Sequence, residues 1–392
     1  VIVNRSADQQ IPEGSGKIIF CGDFCLSNGE VPSVSPALQG LFNEADVFCL
    51  NFEGPVVNGE EAAPKAGPSI RQFDKGINAC KKWGVTHFTL ANNHIMDYGP
   101  QGLQQTLEMA GDENIKCLGA GLSFDQAYAP SEIIIKGYRV ALFAFSEAQF
   151  GMANEEHASA GCAWFNHPRA RSVIREAKAN FDFVIVQAHA GLEMVQLPLP
   201  ELRSLYKEFI SLGADLVIGH HPHVVQGSEE YKGKMIHYSL GNFYMDVMLR
   251  QKNPGSGGVL LVDIRDGRLS SKFIPTKASV SMLEFDESDA SQQNYLDCCQ
   301  QLTDDASYYS DIQEICDEFW RDVYSSYYET AIVGIGFRPG LSSIRRFLRM
   351  LVSLVVHGRR SERDKMLLLL HNIRIESHRW CVERALSKAE RN

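Results

Sequence analysis

The ten cysteines are scattered along 392 residues, and no C-x-x-C pair occurs among them. Only Cys298 with Cys299, and Cys21 with Cys25, stand close together. This excludes the disulfide framework of a small secreted domain and predicts reduced thiols. Long apolar runs are missing too. The longest, Leu351–Val356 and Met366–Leu370, are short and flanked by charge; a bilayer span needs about 18–20 residues. Excess positive charge is absent: the net charge of −10 argues against nucleic acid as the partner of the whole chain. There is no G-x-S-x-G elbow, no G-x-x-x-x-G-K-[ST] loop and no H-E-x-x-H helix. These absences set aside the serine elbow, the phosphate-cradling loop and the single-helix zinc site. No signal peptide is recognisable, and the expected location is cytoplasmic. It becomes extracellular or membrane-anchored if a segment is removed upstream of Val1.

A hydrophobic fraction of 44% is that of a globular protein able to bury a large core. Charge is uneven along it. From Leu341 to Asn392 twelve Lys/Arg face five Asp/Glu, a local excess of about +7. Apolar runs alternate with helical spacing up to about residue 280, the pattern of an α/β core. Residues 290–325 and 341–388 have helical periodicity throughout. The expected organisation is a flexible arm over 1–16, an α/β domain over 17–285 and a helical extension over 286–392. The Gly/Pro/Ser-rich stretches 54–69 and 253–258 read as loops near a site.

Chemistry-bearing residues gather in one kind of place. Three imidazoles crowd into Gly219-His220-His221-Pro222-His223, directly after the apolar run Asp215–Ile218. Asp23, Asn51, Glu53, Asn93, His94 and His189 likewise lie just past apolar strands. Parallel strands would deliver all of them to one rim of one sheet, where open α/β folds bind ligands. Carboxylate, amide and imidazole donors together suit first-row divalent metals such as Mn, Zn or Fe. Each residue also has a plainer reading. Asn51 is as readily a loop cap, Glu53 a solvated carboxylate, and His189 alone a core histidine. Gly191 and Glu193, following His189, favour the functional reading. Asp97 and Asn242 are candidates to orient ligands. Cys25 has no spacing that supports a nucleophile.

The segments Gly22-Asp23, Asn51-Phe52-Glu53-Gly54, Ala91-Asn92-Asn93-His94 with Asp97 and Gly99, His189-x-Gly191-x-Glu193, Gly219-x-His221-Pro222-His223-Val224 with Gln226, and Ser239-Leu240-Gly241-Asn242-Phe243 occur in this order. Together they resemble the CapA (PgsA-type) poly-gamma-glutamate capsule biosynthesis family, a branch of the calcineurin-like metallophosphoesterases, over residues 17–275. The resemblance implies a four-layer αββα sandwich with its site at the strand ends. It implies Asp23, Glu53, Asn93, His189, His221 and His223 as ligands of one or two divalent ions. It also implies His94 as the acid, with Asp97 and Glu193 beside it, and Cys25, Asn51, Asn92, Gln226 and Asn242 as supporting or substrate-facing groups. The superfamily's first motif is D-x-H, whereas here it reads Asp23-Phe24-Cys25. That change removes one ligand of one metal.

Three functions fit. The leading one is metal-dependent hydrolysis or transfer on a carboxylate-rich or amide-linked substrate, an anionic polymer or peptide. The second keeps the site without a metal, as an acid/base peptide epimerase. The third is a non-catalytic capsule-assembly factor. The basic helix with Arg345, Arg346, Arg349, Arg359 and Arg360 fits packing on the core better than contact with an anionic membrane.

Overall fold

The structure, a computed structural model, describes residues 15–157, 159–250, 256–333 and 361–387. Most of the arm expected over 1–16, the five arginines named above and residues 253–255 of the 253–258 loop lie outside the described residues.

Continuous apolar runs make strands that are buried on both faces. The first, β1 (Gly16–Cys25), carries Ile18-Ile19-Phe20-Cys21, all fully buried. In chain order follow β2 (Ser33–Val34), α1 (Pro36–Asn43), β3 (Val47–Phe52), α2 (Asp74–Trp83), β4 (His87–Thr89) and α3 (Gly99–Asp112). Next come β5 (Lys116–Leu118), β6 (Ala120–Gly121), α4 (Phe124–Tyr128), β7 (Ser131–Ile135), β8 (Tyr138–Ser146), β9 (Gly161–Cys162) and α5 (Pro168–Asn180). Then come β10 (Phe183–His189), α6 (Pro200–Leu212), β11 (Leu216–His220), β12 (Ser228–Tyr231), β13 (Lys234–His237), β14 (Asn242–Met245) and α7 (Asp246–Arg250). The hairpin β15 (Gly257–Arg265) and β16 (Arg268–Ala278) turns at Asp266-Gly267, and β17 (Met282–Phe285) follows. The helical extension holds α8 (Asp289–Gln301), α9 (Asp305–Phe319), a π-helical turn (Trp320–Tyr324), α10 (Ser325–Val333), α11 (Glu362–Arg374) and α12 (Glu376–Leu386).

Two mixed sheets result. One runs β2-β17-β16-β15-β1-β3-β4-β5, with β14 also pairing β1. The other runs β12-β13-β11-β10-β8-β7. One apolar cluster draws on both sheets, from Ile19, Leu50 and Phe88 of the first to Leu142, Ile185 and Ile218 of the second. Against the first sheet lie α1 and α2, with Phe42 on Phe48 and Trp83 on Phe24. Against the far face of the second lies α6, with Phe209 on Phe145 and Tyr206 stacked on Tyr238. The order is helices, sheet, sheet, helices. The functional rim is therefore shared by two sheets and is not the edge of one, as strand patterning alone predicts. β1, β3 and β4 supply one side; β8, β10 and β11 supply the other.

The Ser239-Leu240-Gly241 segment joins these sheets, carrying the chain from β13 in one to β14 in the other. On the way Leu240 N–H donates to Gly219 O (3.1 Å), and Gly241 O accepts from Asp23 N–H (2.9 Å). Such close approach requires glycine at two places. A Cβ on Gly22 would lie 1.8 Å from Gly241 O, and one on Gly219 1.8 Å from Tyr238 O. Backbone cannot yield as a flexible side-chain tip can. Gly219→Ala is therefore expected to destabilise the fold by about 2–3 kcal/mol, checked by urea denaturation.

The extension packs on the second sheet. Leu302, Tyr308, Ile312, Cys316, Cys381 and Val382 join the apolar cluster of Phe145, Val186 and Phe209. Arg203 links α6 to both Glu229 (2.7 Å) and Asp305 (2.9 Å), and Arg384 links α12 to Glu201 (2.5 Å). Among the described residues no helix is long and apolar enough to cross a membrane.

Candidate functional site

The strand ends bring Asp23, Asn51, Glu53, Asn93, His94, His189, His221 and His223 into one buried group. Two sets of side chains could each hold a cation: Asp23–Glu53–His223 and Glu53–His189–His221, with donor atoms in each within 4.8 Å of one another. Glu53 belongs to both. Its side chain is fully buried, yet neither carboxylate oxygen has a hydrogen-bond partner among the described residues. Imidazole nitrogens surround it: His94 Nε2 at 3.8 Å, and His189 Nε2 and His223 Nε2 at 4.0 Å. A buried carboxylate with no donor is costly. A shared cation would repay that cost, and the donor set fits a divalent ion of the Mn, Zn or Fe class.

The electrostatics follow from burial. It pushes the Glu53 carboxyl up to about 8; His223 opposes this, and Asp23 adds to it. Burial acts on Asp23 as well, but there the His223 hydrogen bond and the His189 and His220 imidazoles win, and the carboxyl stays well below its ordinary range. Burial alone would lower His223; Glu53 and Asp23 outweigh it and raise the imidazole to about 10. Burial holds His189 well below its ordinary value and His221 at about 4, so both are neutral donors at neutral pH.

Supporting groups orient these side chains. The Asn51 amide nitrogen donates to Asp23 Oδ1 (2.6 Å) and lies 3.1 Å from His189 Nδ1. Asn93 Oδ1 is 2.9 Å from His189 Nε2, and Asn242 Oδ1 is 2.9 Å from His223 Nδ1. Asn92 does something different: its oxygen accepts from Gly54 N–H and His94 N–H while its nitrogen donates to Phe52 O, fastening two loops. Gln226 donates to Val195 O (2.8 Å) and shapes the rim without reaching the ligands. Cys25 Sγ faces Arg71 O at 3.9 Å, and burial pushes its thiol far up. It stands in neither cation-compatible set.

The His-Pro-His turn is strained. His221 has φ of 98° and His223 φ of 59°, the left-handed region that side chains avoid. His221 N–H donates to Asp23 Oδ2 (3.2 Å), and Pro222 O accepts from Met194 N–H (2.8 Å). These bonds hold both rings toward Glu53 at a cost the surrounding structure carries.

His94 stands at the mouth. Its Nδ1 meets Asp97 Oδ2 at 2.7 Å, while Asp97 also accepts from Ile70 N–H (2.7 Å) and pairs with Lys65. Burial lowers His94 below its ordinary value although Asp97 pulls the other way, so the ring is neutral at neutral pH. Neutral, with Nδ1–H on Asp97, it presents Nε2 to the cluster as a proton acceptor. Glu193 is exposed beside His94 and His221.

Sequence reasoning missed Glu147, although it too follows an apolar strand, β8. It is fully buried, with Oε1 3.9 Å from His221 Nε2. It also missed Lys65, His371, Arg374 and His378, which line the cavity of about 110 Å³ over His94 and His221. The last three belong to the extension, which carries no motif.

Two facing sheets with outer helices, and a carboxylate–amide–imidazole rim at their strand ends, define a four-layer α/β sandwich with a candidate metal site. The profile of the bacterial capsule synthesis proteins (PGA_cap) matches residues 2–247. The chain belongs to that family. It is 34% identical over 220 residues to the capsule biosynthesis protein CapA of Bacillus anthracis, covering 54% of this chain and 53% of that one. It is 32% identical over 219 residues to the PGA biosynthesis protein CapA of Bacillus subtilis, covering 55% and 57%. The chain thus spans about half the length of these curated relatives. A solved 5'-nucleotidase precursor from Thermus thermophilus aligns at 15% identity with a TM-score of 0.40, over 66% of this chain and 54% of that one.

Proposed function

We propose that this protein hydrolyses or transfers an amide-linked, carboxylate-rich substrate, of gamma-glutamyl or peptide type, at a divalent-metal site. Glu53 carries this reading. It is a fully buried carboxylate without a hydrogen bond among the described residues, shared by two ligand sets. The names of the Bacillus relatives, which concern capsule and PGA biosynthesis, support the substrate class.

In this reading Asp23, Glu53 and His223 would hold one ion, and Glu53, His189 and His221, with Asn93 beside them, a second. The first set lacks a ligand from position 25, so the second is the better-furnished of the two. A bound divalent ion would polarise the scissile carbonyl and lower the pKa of an attacking water. The chain's own groups do the rest. Asn51 and Asn242 fix the orientation of Asp23, His189 and His223. Asp97 fixes the tautomer of His94, whose Nε2 then takes a proton from the nucleophile and returns it to the leaving nitrogen. Two walls, from the 64–68 loop and from α11–α12, restrict water around the reacting bond.

The test is elemental analysis of the purified protein, paired with cleavage of a gamma-glutamyl oligomer with and without chelator. Bound metal, and activity lost on chelation and restored by Mn or Zn, is the expected result. Absence of metal together with undiminished activity in chelator overturns it. Solvent deuterium entering the peptide without cleavage would assign the site to epimerisation. Binding of the polymer without either reaction would assign it to assembly.

A further inference from the structure

The extension reaches the site through a buried latch. At the α11–α12 junction, Glu376 accepts from Ala148 N–H (2.8 Å), Trp164 Nε1–H (2.9 Å) and the Asn166 amide (2.8 Å). The next residue, Ser377, donates from its backbone N–H (2.8 Å) and its hydroxyl (3.0 Å) to Glu147. Glu147 itself lies against His221. Buried carboxylates satisfied this fully hold their partners in one arrangement. The junction is fixed on the rim, and the residues flanking it, His371, Arg374 and His378, face the cavity that also contains Asn93, His94 and His221.

The wall so formed has a distinct chemistry. Its apolar part is Phe150, Leu367, Leu370 and Ile375. Its charges are divided. Lys65 is committed to Asp97, whereas Arg374 has no carboxylate partner among the described residues and is exposed to the cavity. The opposing charge is Glu193, also exposed and also without an ion pair among the described residues. An anionic group entering the cavity is drawn to Arg374 and turned away from Glu193. His371 and His378 stay uncharged, because burial lowers both, and they offer ring N–H groups beside it. A second hollow, sharing Lys65, Gly67, Leu367 and His371 with the first, continues outward past Tyr327 and Asp364.

We propose that α11–α12 form a substrate subsite in which Arg374 binds the carboxylate at the end of a peptidyl or acyl chain, next to the His94–His221 rim. The apolar wall receives the methylenes of that chain, and the guanidinium fork its carboxylate. Its carboxylate preference deepens the proposed function and rests on that reading only for the identity of the neighbouring reacting bond.

Calorimetric binding to the full chain tests it without turnover, using gamma-glutamylglutamate, the same dipeptide with its carboxylates amidated, and phenyl phosphate. The wild type is expected to favour the free dipeptide over its amide about tenfold. Arg374→Gln should weaken the free dipeptide about tenfold and leave the amide unchanged, with metal content unaltered. His371→Gln should weaken both ligands equally, since it removes a neutral contact. Equal affinity of wild type and Arg374→Gln for the free dipeptide would overturn the assignment. So would phenyl phosphate binding more tightly than the dipeptide, which would make the subsite one for phosphoryl groups. A protein that proves metal-free still yields this comparison, so failure of the metal reading is seen separately.

Discussion

Replacing Glu53 with Gln is expected to remove most of the bound metal and to lower turnover by at least ~10³-fold, yet to leave the protein folded. Gln has the same shape and no charge. It cannot bridge two cations, but its amide can donate to the imidazole nitrogens that now stand 3.8–4.0 Å from the carboxylate. The stability change therefore has the opposite sign to that of a structural residue. In the metal-free wild type, burial raises the Glu53 carboxyl from 4.5 to about 8. Between these values the unfolded chain has lost the proton and the folded one keeps it. The group thus costs stability increasingly as pH climbs from about 4.5 to about 8. The variant lacks this titration. Denaturation in chelator should give equal stability for both proteins near pH 4.5 and a more stable variant at pH 8. Saturating metal should narrow this gap by stabilising only the wild type, by ~2.7 kcal/mol at a hundredfold excess over Kd. Unchanged metal content in Glu53→Gln, or a pH 8 stability below that of the wild type, would contradict the bridging role.

The rim is legible in the sequence because its residues share one local sign. Asp23, His189 and His221 each follow an apolar run that can only be a buried strand, and strand ends in such folds converge. Position along the chain does not say which strands share a sheet. Patterning thus suggests a single rim, whereas the crossing at Ser239–Gly241 divides it between two sheets. Glu147 carries the same sign but escapes notice, because β8 reads only as half of a hairpin; its pairing with β10 brings it to the site. The extension is legible as helices and nothing more. Helical periodicity reveals that a face will be buried, not what will bury it. The contacts that bring Ser377 to Glu147 span 230 residues, and no local pattern encodes a separation of that size. Asn92 shows the reverse case: it lies within the most suggestive motif, yet its hydrogen bonds fasten loops.

Replacing His94 with Asn is expected to lower kcat by about 10²–10⁴-fold while metal content stays that of the wild type. Asn keeps a polar group at the mouth but no titrating nitrogen. The ring does not belong to either cation-compatible set, so a fall in activity without metal loss separates proton transfer from metal binding. Asp97→Asn should act through the ring. An amide donating to Nδ1 forces the proton onto Nε2, and the imidazole then faces the cluster as a donor when it must accept. Asp97 also ties Ile70 N–H and Lys65, and so anchors the 64–70 loop that walls the cavity. Its loss should therefore raise KM as well as lower kcat, whereas His94→Asn should lower kcat alone. In the double variant kcat should be no lower than in His94→Asn, because Asp97 has no tautomer left to set. Additive losses in kcat would show that Asp97 contributes apart from His94. Metal loss in His94→Asn would make the ring a ligand instead of the proton carrier.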